Sequence, residues 1–187
     1  MDILQKCAEN YERLTHFEYR ITIARKGKAH TLCVRFETTQ FHHLAGIHKL
    51  SDLRISRKNR EKVFEDIRNG KITDSFLQAS RYYGRIADRI KHLCNLERIL
   101  DQNEWVFRYH KRAGDLSMID ADYLLSTVID DGEFYIFLSI DGAYCFCRSF
   151  FQRTNRDYTK GQMRYTMLRK EKRNRDTGEC VVQFNRM

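Results

Sequence analysis

The sequence contains no proline, so a stiff Pro-rich linker between domains is excluded. No low-complexity tract or internal repeat takes its place. Long apolar runs are also missing, and no segment approaches the ~20 residues of a transmembrane helix. Residues 1–6 lack a basic stretch followed by an apolar run, as a secretory signal would require. We therefore expect a single domain over residues 1–187, with no membrane contact and a cytoplasmic location.

Several catalytic and metal-binding signatures are absent as well. The sequence has no HExxH zinc motif, no P-loop and no GxGxxG nucleotide fingerprint. Its six cysteines are scattered, apart from Cys145 and Cys147. A zinc site needs more ligands than that pair supplies. We therefore expect reduced, mostly buried thiols, no metal and no cofactor.

Acidic residues are too few to balance the basic ones. Lys and Arg number 34 against 25 Asp and Glu, which leaves a formal net charge of +9 and favours a polyanionic partner. In the densest basic zone, residues 148–175, only Asp157 and Glu171 oppose the cations, and aromatic residues are interleaved. Cations and flat rings together suit single-stranded RNA. The candidate nucleic-acid contacts are Lys49, Arg112, Arg148, Arg153, Arg156, Tyr158, Lys160, Arg164 and Thr166.

Hydrophobic periodicity predicts helices in the first half of the chain and strands in the second. Helical patterns cover residues 2–14, 56–69 and 73–100, and an alternating pattern over 17–36 predicts a hairpin. Strand patterns follow at 104–109, 123–129, 133–138, 143–151, 164–168 and 180–184. The predicted fold is α+β, with a helix-rich N-terminal half that includes a hairpin, followed by an antiparallel β-meander sheet.

Residues 41–49, Phe-His-His-Leu-Ala-Gly-Ile-His-Lys, concentrate the groups suited to proton transfer. Imidazole titrates near neutrality, and apolar neighbours can hold it rigidly. Helical spacing places His43 along an apolar stripe and turns His42 toward solvent, with His48 also facing solvent or phosphate. Gly46 is expected to end or bend the helix. We take His43 as the candidate general acid or base; the alternative is a structural histidine packed beneath the sheet.

Ser149, Lys111 and Lys170 complete the candidate catalytic set. Strict alternation puts Ser149 on the face of Cys145 and Cys147. A serine there could bind phosphate or orient a base, or could be a small residue on a crowded sheet. The two lysines are candidates to stabilise the negative charge that builds on a phosphate during cleavage.

The segment Phe41-x-His43-Leu44-x-Gly46-Ile47 resembles the phage-associated branch of the Barnase–EndoU–colicin–RelE nuclease superfamily. Ser149-Phe150, Tyr158 and the Lys-rich segment 168–172 match its later pattern, so the resemblance covers the chain from about residue 15 onward. It implies a metal-independent endoribonuclease of a phage, mobile-element or toxin type. Such an enzyme cleaves RNA by acid/base catalysis with the 2′-hydroxyl as nucleophile. The expected partners are RNA or a nucleic-acid-loaded protein complex, and they could include an inhibitor protein.

A non-catalytic function is the alternative. The sequence has no clear catalytic carboxylate, which is compatible with a nucleic-acid-binding or nucleoprotein-binding protein of inhibitor type from a mobile element. Such a protein would use the same basic surface without proton chemistry. Cleavage of RNA in EDTA distinguishes the enzyme from a protein that only binds.

Overall fold

The computed structural model describes residues 1–111, 118–130 and 132–186. The chain divides into two compact units, each built from two stretches of sequence. Unit 1 comprises residues 1–15 and 37–98, and unit 2 comprises residues 16–36 and 99–187. The expectation of a single domain stays a prediction.

Unit 1 is helical. Its α-helices are α1 (Ile3–Thr15), α2 (Thr38–Leu44), α3 (Arg60–Arg68), α4 (Asp74–Gln78) and α5 (Ala87–Leu93). It also contains 3₁₀ turns at Ile47–Lys49, Arg54–Arg57 and Tyr83–Arg85. A sixth helix, α6 (Leu96–Asp101), begins in unit 1 and ends in unit 2. Three buried rings join the first three helices. Phe41 of α2 lies 5.4 Å from Tyr11 of α1 and 5.2 Å from Phe64 of α3, measured between ring centroids, in edge-to-face geometry. This packing fixes the helix that carries His42 and His43.

Unit 2 contains the strands. They are β1 (Phe17–Arg25), β2 (Lys28–Arg35), β3 (Trp105–Arg108), β4 (Tyr123–Ile129), β5 (Gly132–Asp141), β6 (Tyr144–Gln152), β7 (Met163–Asn174) and β8 (Cys180–Asn185). The pairing order is β1-β2-β6-β5-β4-β3-β7-β8, and β7 also pairs with β1. Seven strands therefore close into a barrel, and β8 is an additional strand on β7.

The predicted arrangement of helices followed by an antiparallel meander was wrong. The individual strands lie close to their predicted positions, but the N-terminal hairpin belongs to the same sheet as the later strands. Its strand β2 pairs in parallel with β6 through Val34 and Cys145, and β1 pairs antiparallel with β7. Periodicity identifies strands but not their distant partners, so the sequence pattern could not reveal the closure.

The registers define the inner face of the barrel. Residues that pair across neighbouring strands point to the same face of the sheet. Following these pairs around the seven strands gives one face whose residues are buried, with one example from each strand: Tyr19, Val34, Cys147, Leu138, Leu125, Val106 and Lys170. Since all are buried, this face forms the interior. No helix within the described ranges has both the length and the apolarity needed to cross a membrane.

Two cysteines correct the expectation of reduced thiols. Cys7 of α1 and Cys94, directly after α5, form a disulfide with their Cα atoms 4.2 Å apart. They are separated by 87 positions in the sequence, so only the crossing of the two helices brings them together. Cys33, Cys145, Cys147 and Cys180 carry thiols.

Candidate active site

A sharp change of direction at Gly46 brings two histidines face to face. Helix α2 ends at Leu44, Gly46 has φ of +81°, and the 3₁₀ turn Ile47–Lys49 follows. The imidazoles of His43 and His48 stack with ring centroids 4.5 Å apart and an interplanar angle of 11°. A Cβ atom at position 46 would lie 2.7 Å from Cγ2 of Ile86, so glycine is required both for the dihedral angle and for the close approach.

The exposure of the histidines differs from the helical-wheel expectation. His43 and His48 are exposed, whereas the His42 side chain is buried, with 3 % of its surface accessible. Nε2 of His42 lies 3.5 Å from the carbonyl oxygen of Ile55. The prediction that His42 faces solvent was wrong. Its partner, Ile55, lies in the 3₁₀ turn Arg54–Arg57, and the local sequence pattern does not predict this contact.

The environment of His48 favours a neutral imidazole. Although His48 reaches solvent, its partial burial, together with the nearby charges of His43 and Lys49, lowers its pKa to about 4. Burial also lowers the pKa of His42. At neutral pH His48 therefore carries a free electron pair and can accept a proton.

Cations gather beside the imidazoles. The pKa of Lys49 is lowered by burial and then by the positive charges of Arg89 and Arg85. An anion bound beside these three cations would relieve their mutual repulsion. Guanidinium and ammonium groups are the usual protein ligands of phosphate, so a phosphate group is the candidate anion.

The lowered pKa of His48 predicts a pH-dependent contribution to stability. The unfolded chain, with an ordinary histidine pKa near 6.5, takes up a proton that the folded chain binds only near pH 4. Stability is therefore expected to decrease as the pH falls from about 6.5 toward 4. Across this window the urea midpoint of the wild type should fall relative to that of His48→Asn as the pH falls. Parallel midpoints for the two proteins would contradict the assignment.

Ser149 occupies the sheet face opposite to the predicted one. On β6 it pairs with Phe137, whereas Cys147 pairs with Leu138, and the register shifts between these two partners. A β-bulge at this point inserts one extra residue, so Ser149 and Cys147 point to opposite faces. Ser149 is buried, with 8 % of its surface accessible. The predicted face was wrong because a β-bulge interrupts the strict alternation of side chains between the two faces of the sheet.

Lys170 lies inside the barrel. Its side chain is 2 % accessible, and Nζ donates a hydrogen bond to the carbonyl oxygen of Leu100. Burial lowers the pKa of Lys170 to about 8, although the carboxylate of Asp101 acts in the opposite direction. Lys170 is therefore held inside the barrel by a contact with the backbone, and the proposed mechanism does not use it.

The remaining candidate residues differ in their exposure and in their contacts with other side chains. Lys111 is exposed, and Arg112 lies outside the described residues. The guanidinium of Arg153 is 2.6 Å from Glu133 and 3.6 Å from Asp157, so its charge is largely neutralised. Arg156 lies over the ring of Tyr158. That ring packs on Tyr135, Phe137 and Phe151. Arg164 lies over the ring of Trp105. Arg148, Lys160, Arg164 and Thr166 are exposed in unit 2.

A second group of polar side chains lies on the barrel strands and was missed by sequence reasoning. Nε2 of His30 is 2.9 Å from the hydroxyl oxygen of Tyr123, and the Tyr165 ring packs edge-on against the imidazole. The Arg108 guanidinium nearby is paired with Asp122 at 3.2 Å. The positive charge of this guanidinium is therefore already balanced by a carboxylate.

Arg85 and Arg89 could not be assigned to the site from the sequence. Arg85 ends the 3₁₀ turn Tyr83–Arg85 and Arg89 lies on α5, and no local pattern links either residue to His48. Among the described residues, no cluster of three or more His, Cys, Asp or Glu side chains has the arrangement of a metal site. The arrangement of two stacked imidazoles beside cations suits proton transfer at a bound phosphate.

Comparison with known families agrees with this chemistry. The family model described as phage-Barnase-EndoU-ColicinE5/D-RelE like nuclease4 matches residues 3–186. The match spans nearly the whole chain, so the protein belongs to this family of phage-associated nucleases. Membership supports a nuclease function. No curated protein and no solved structure matches the chain significantly.

Proposed function

We propose that the protein is a metal-independent endoribonuclease in which His43 and His48 transfer the protons. The observation that carries this proposal is the exposed stack of two imidazoles, one of them held neutral, beside a group of cations. Two titratable groups held side by side can serve as the acid and the base of one reaction. Membership of a nuclease family supports the same conclusion.

The proposed reaction is an attack by the RNA on its own backbone. His48, neutral at pH 7, accepts the proton of the ribose 2′-hydroxyl. The 2′-oxygen bonds to phosphorus, the bond from phosphorus to the 5′-oxygen breaks, and His43 provides the proton that the departing oxygen takes up. Lys49 and Arg89 stabilise the negative charge on the phosphate oxygens. The products are a 2′,3′-cyclic phosphate and a 5′-hydroxyl.

The products of cleavage test this proposal. A labelled single-stranded oligoribonucleotide incubated with the protein in EDTA is expected to yield fragments ending in a 2′,3′-cyclic phosphate. The same oligonucleotide with 2′-O-methyl groups throughout should remain intact, because its nucleophile is blocked. A stable complex without product would instead favour the inhibitor-type binding protein, and cleavage of the methylated strand would exclude the 2′-hydroxyl mechanism.

A further inference from the structure

A tyrosine with two arginines lies in the same unit as the imidazole pair. The guanidinium carbons of Arg81 and Arg85 are 4.8 Å and 4.5 Å from the centroid of the Tyr82 ring. Arg85 also contributes to the positive field at Lys49. The Tyr82 ring and the cations beside Lys49 are therefore linked through one shared residue, Arg85.

The loop carrying Tyr82 is fastened directly to the segment that follows Lys49. The hydroxyl of Ser80 donates to the carboxylate of Asp52 at 2.5 Å, and the backbone N–H of Arg81 donates to the other oxygen at 3.0 Å. The backbone N–H of Tyr82 in turn donates to the Ser80 hydroxyl at 3.1 Å. Asp52 is three residues from Lys49, so these bonds hold the aromatic group close to the cationic site.

We propose that Tyr82 and Arg85 form a nucleobase-stacking subsite that makes single-stranded RNA the substrate. This inference rests on the proposed ribonuclease function. A base next to the bound phosphate stacks on the tyrosine ring or on the guanidinium plane that covers it, since both surfaces are flat. Arg85 serves both groups, because it lies over the ring and adds positive charge near the phosphate.

The same geometry discriminates against duplex RNA. In an A-form helix the faces of the bases are stacked on their neighbours and are not available to a protein ring. Only a strand whose bases can swing outward occupies the phosphate site and the Tyr82 subsite together. Stacking does not depend on base identity, so weak sequence preference is expected at this position.

Binding of an RNA that cannot be cleaved tests the subsite separately from catalysis. The probe is a 2′-O-methyl single-stranded oligonucleotide of mixed sequence, with its fully paired duplex as the comparison. Tyr82→Ala is expected to raise Kd for the single strand about tenfold, which corresponds to about 1.4 kcal/mol. Tyr82→Phe should bind like the wild type because it keeps the ring. Tyr82→Leu, which keeps apolar bulk without a flat face, replaces the alanine variant if that variant is unstable.

Tyr144→Ala provides a matched control. The guanidinium of Arg35 lies 3.5 Å from the Tyr144 ring centroid, so this residue is an arginine-covered tyrosine in unit 2. Its replacement should leave Kd unchanged. Unchanged affinity in Tyr82→Ala, or equal wild-type affinity for single strand and duplex, would overturn the inference. Neither result depends on cleavage, whereas failure of the ribonuclease proposal would appear as absence of product.

Discussion

Replacing His43 with alanine is expected to lower the rate of RNA cleavage by about 10²–10⁴-fold, the usual contribution of one general acid or base. The side chain is exposed, so its loss removes little packing and the unfolding temperature should change little. His48→Ala should cause a loss of the same order. Because the two imidazoles act in one reaction, the double variant should be only slightly worse than either single variant. Single-turnover kinetics with thermal unfolding of each variant measures both effects.

His110→Ala is the control for a change of histidine elsewhere. His110 is exposed in unit 2, and its contacts with Gln162 involve only the His110 backbone. Removing its imidazole therefore leaves these hydrogen bonds in place, and activity should remain at the wild-type level. Full activity of the His43→Ala protein would remove His43 from the mechanism.

Replacing Gly46 with alanine is expected to destabilise the fold by about 2–5 kcal/mol. The left-handed conformation costs an L-residue about 1–2 kcal/mol, and overpacking against Ile86 adds about 1–3 kcal/mol. Relief of the clash would move the Ile47–Lys49 turn away from α5, so the imidazole stack should open and the cleavage rate should fall too. Urea unfolding and single-turnover cleavage measure the two consequences.

Gly27→Ala separates the two contributions to that loss. Gly27 also has a positive φ, +76°, but an added Cβ there meets no atom within 4 Å. The control should therefore lose only the ~1–2 kcal/mol of the left-handed conformation. Equal destabilisation by the two substitutions would show that close packing against Ile86 does not constrain the histidine turn.

The local elements of this fold could be predicted from the sequence, but their assembly could not. Alternation over residues 17–36 correctly predicted β1 and β2, and the helical pattern that ends at residue 69 agrees with the end of α3 at Arg68. Closure of the barrel depends on pairing Val34 with Cys145, more than 100 positions away. Such pairing is decided by the whole tertiary structure, which a local period of two does not encode.

The candidate site shows the same division. The concentration of imidazoles in residues 41–49 indicated the segment, and Gly46 was expected to interrupt the helix. The stacking of His48 on His43 was not predictable, because a spacing of five separates two side chains on a straight helix. The rings come together because Gly46 adopts the left-handed conformation. The close approach of Ile86 leaves no space for a side chain at this position.

The pH dependence of single-turnover RNA cleavage in EDTA tests the central claim most directly. If neutral His48 takes the proton from the 2′-hydroxyl, the rate should fall as the pH decreases toward about 4, where this imidazole becomes protonated. The acid limb should disappear from the residual activity of His48→Ala. A wild-type rate that does not change across this range, or cleavage that EDTA abolishes, would contradict the account.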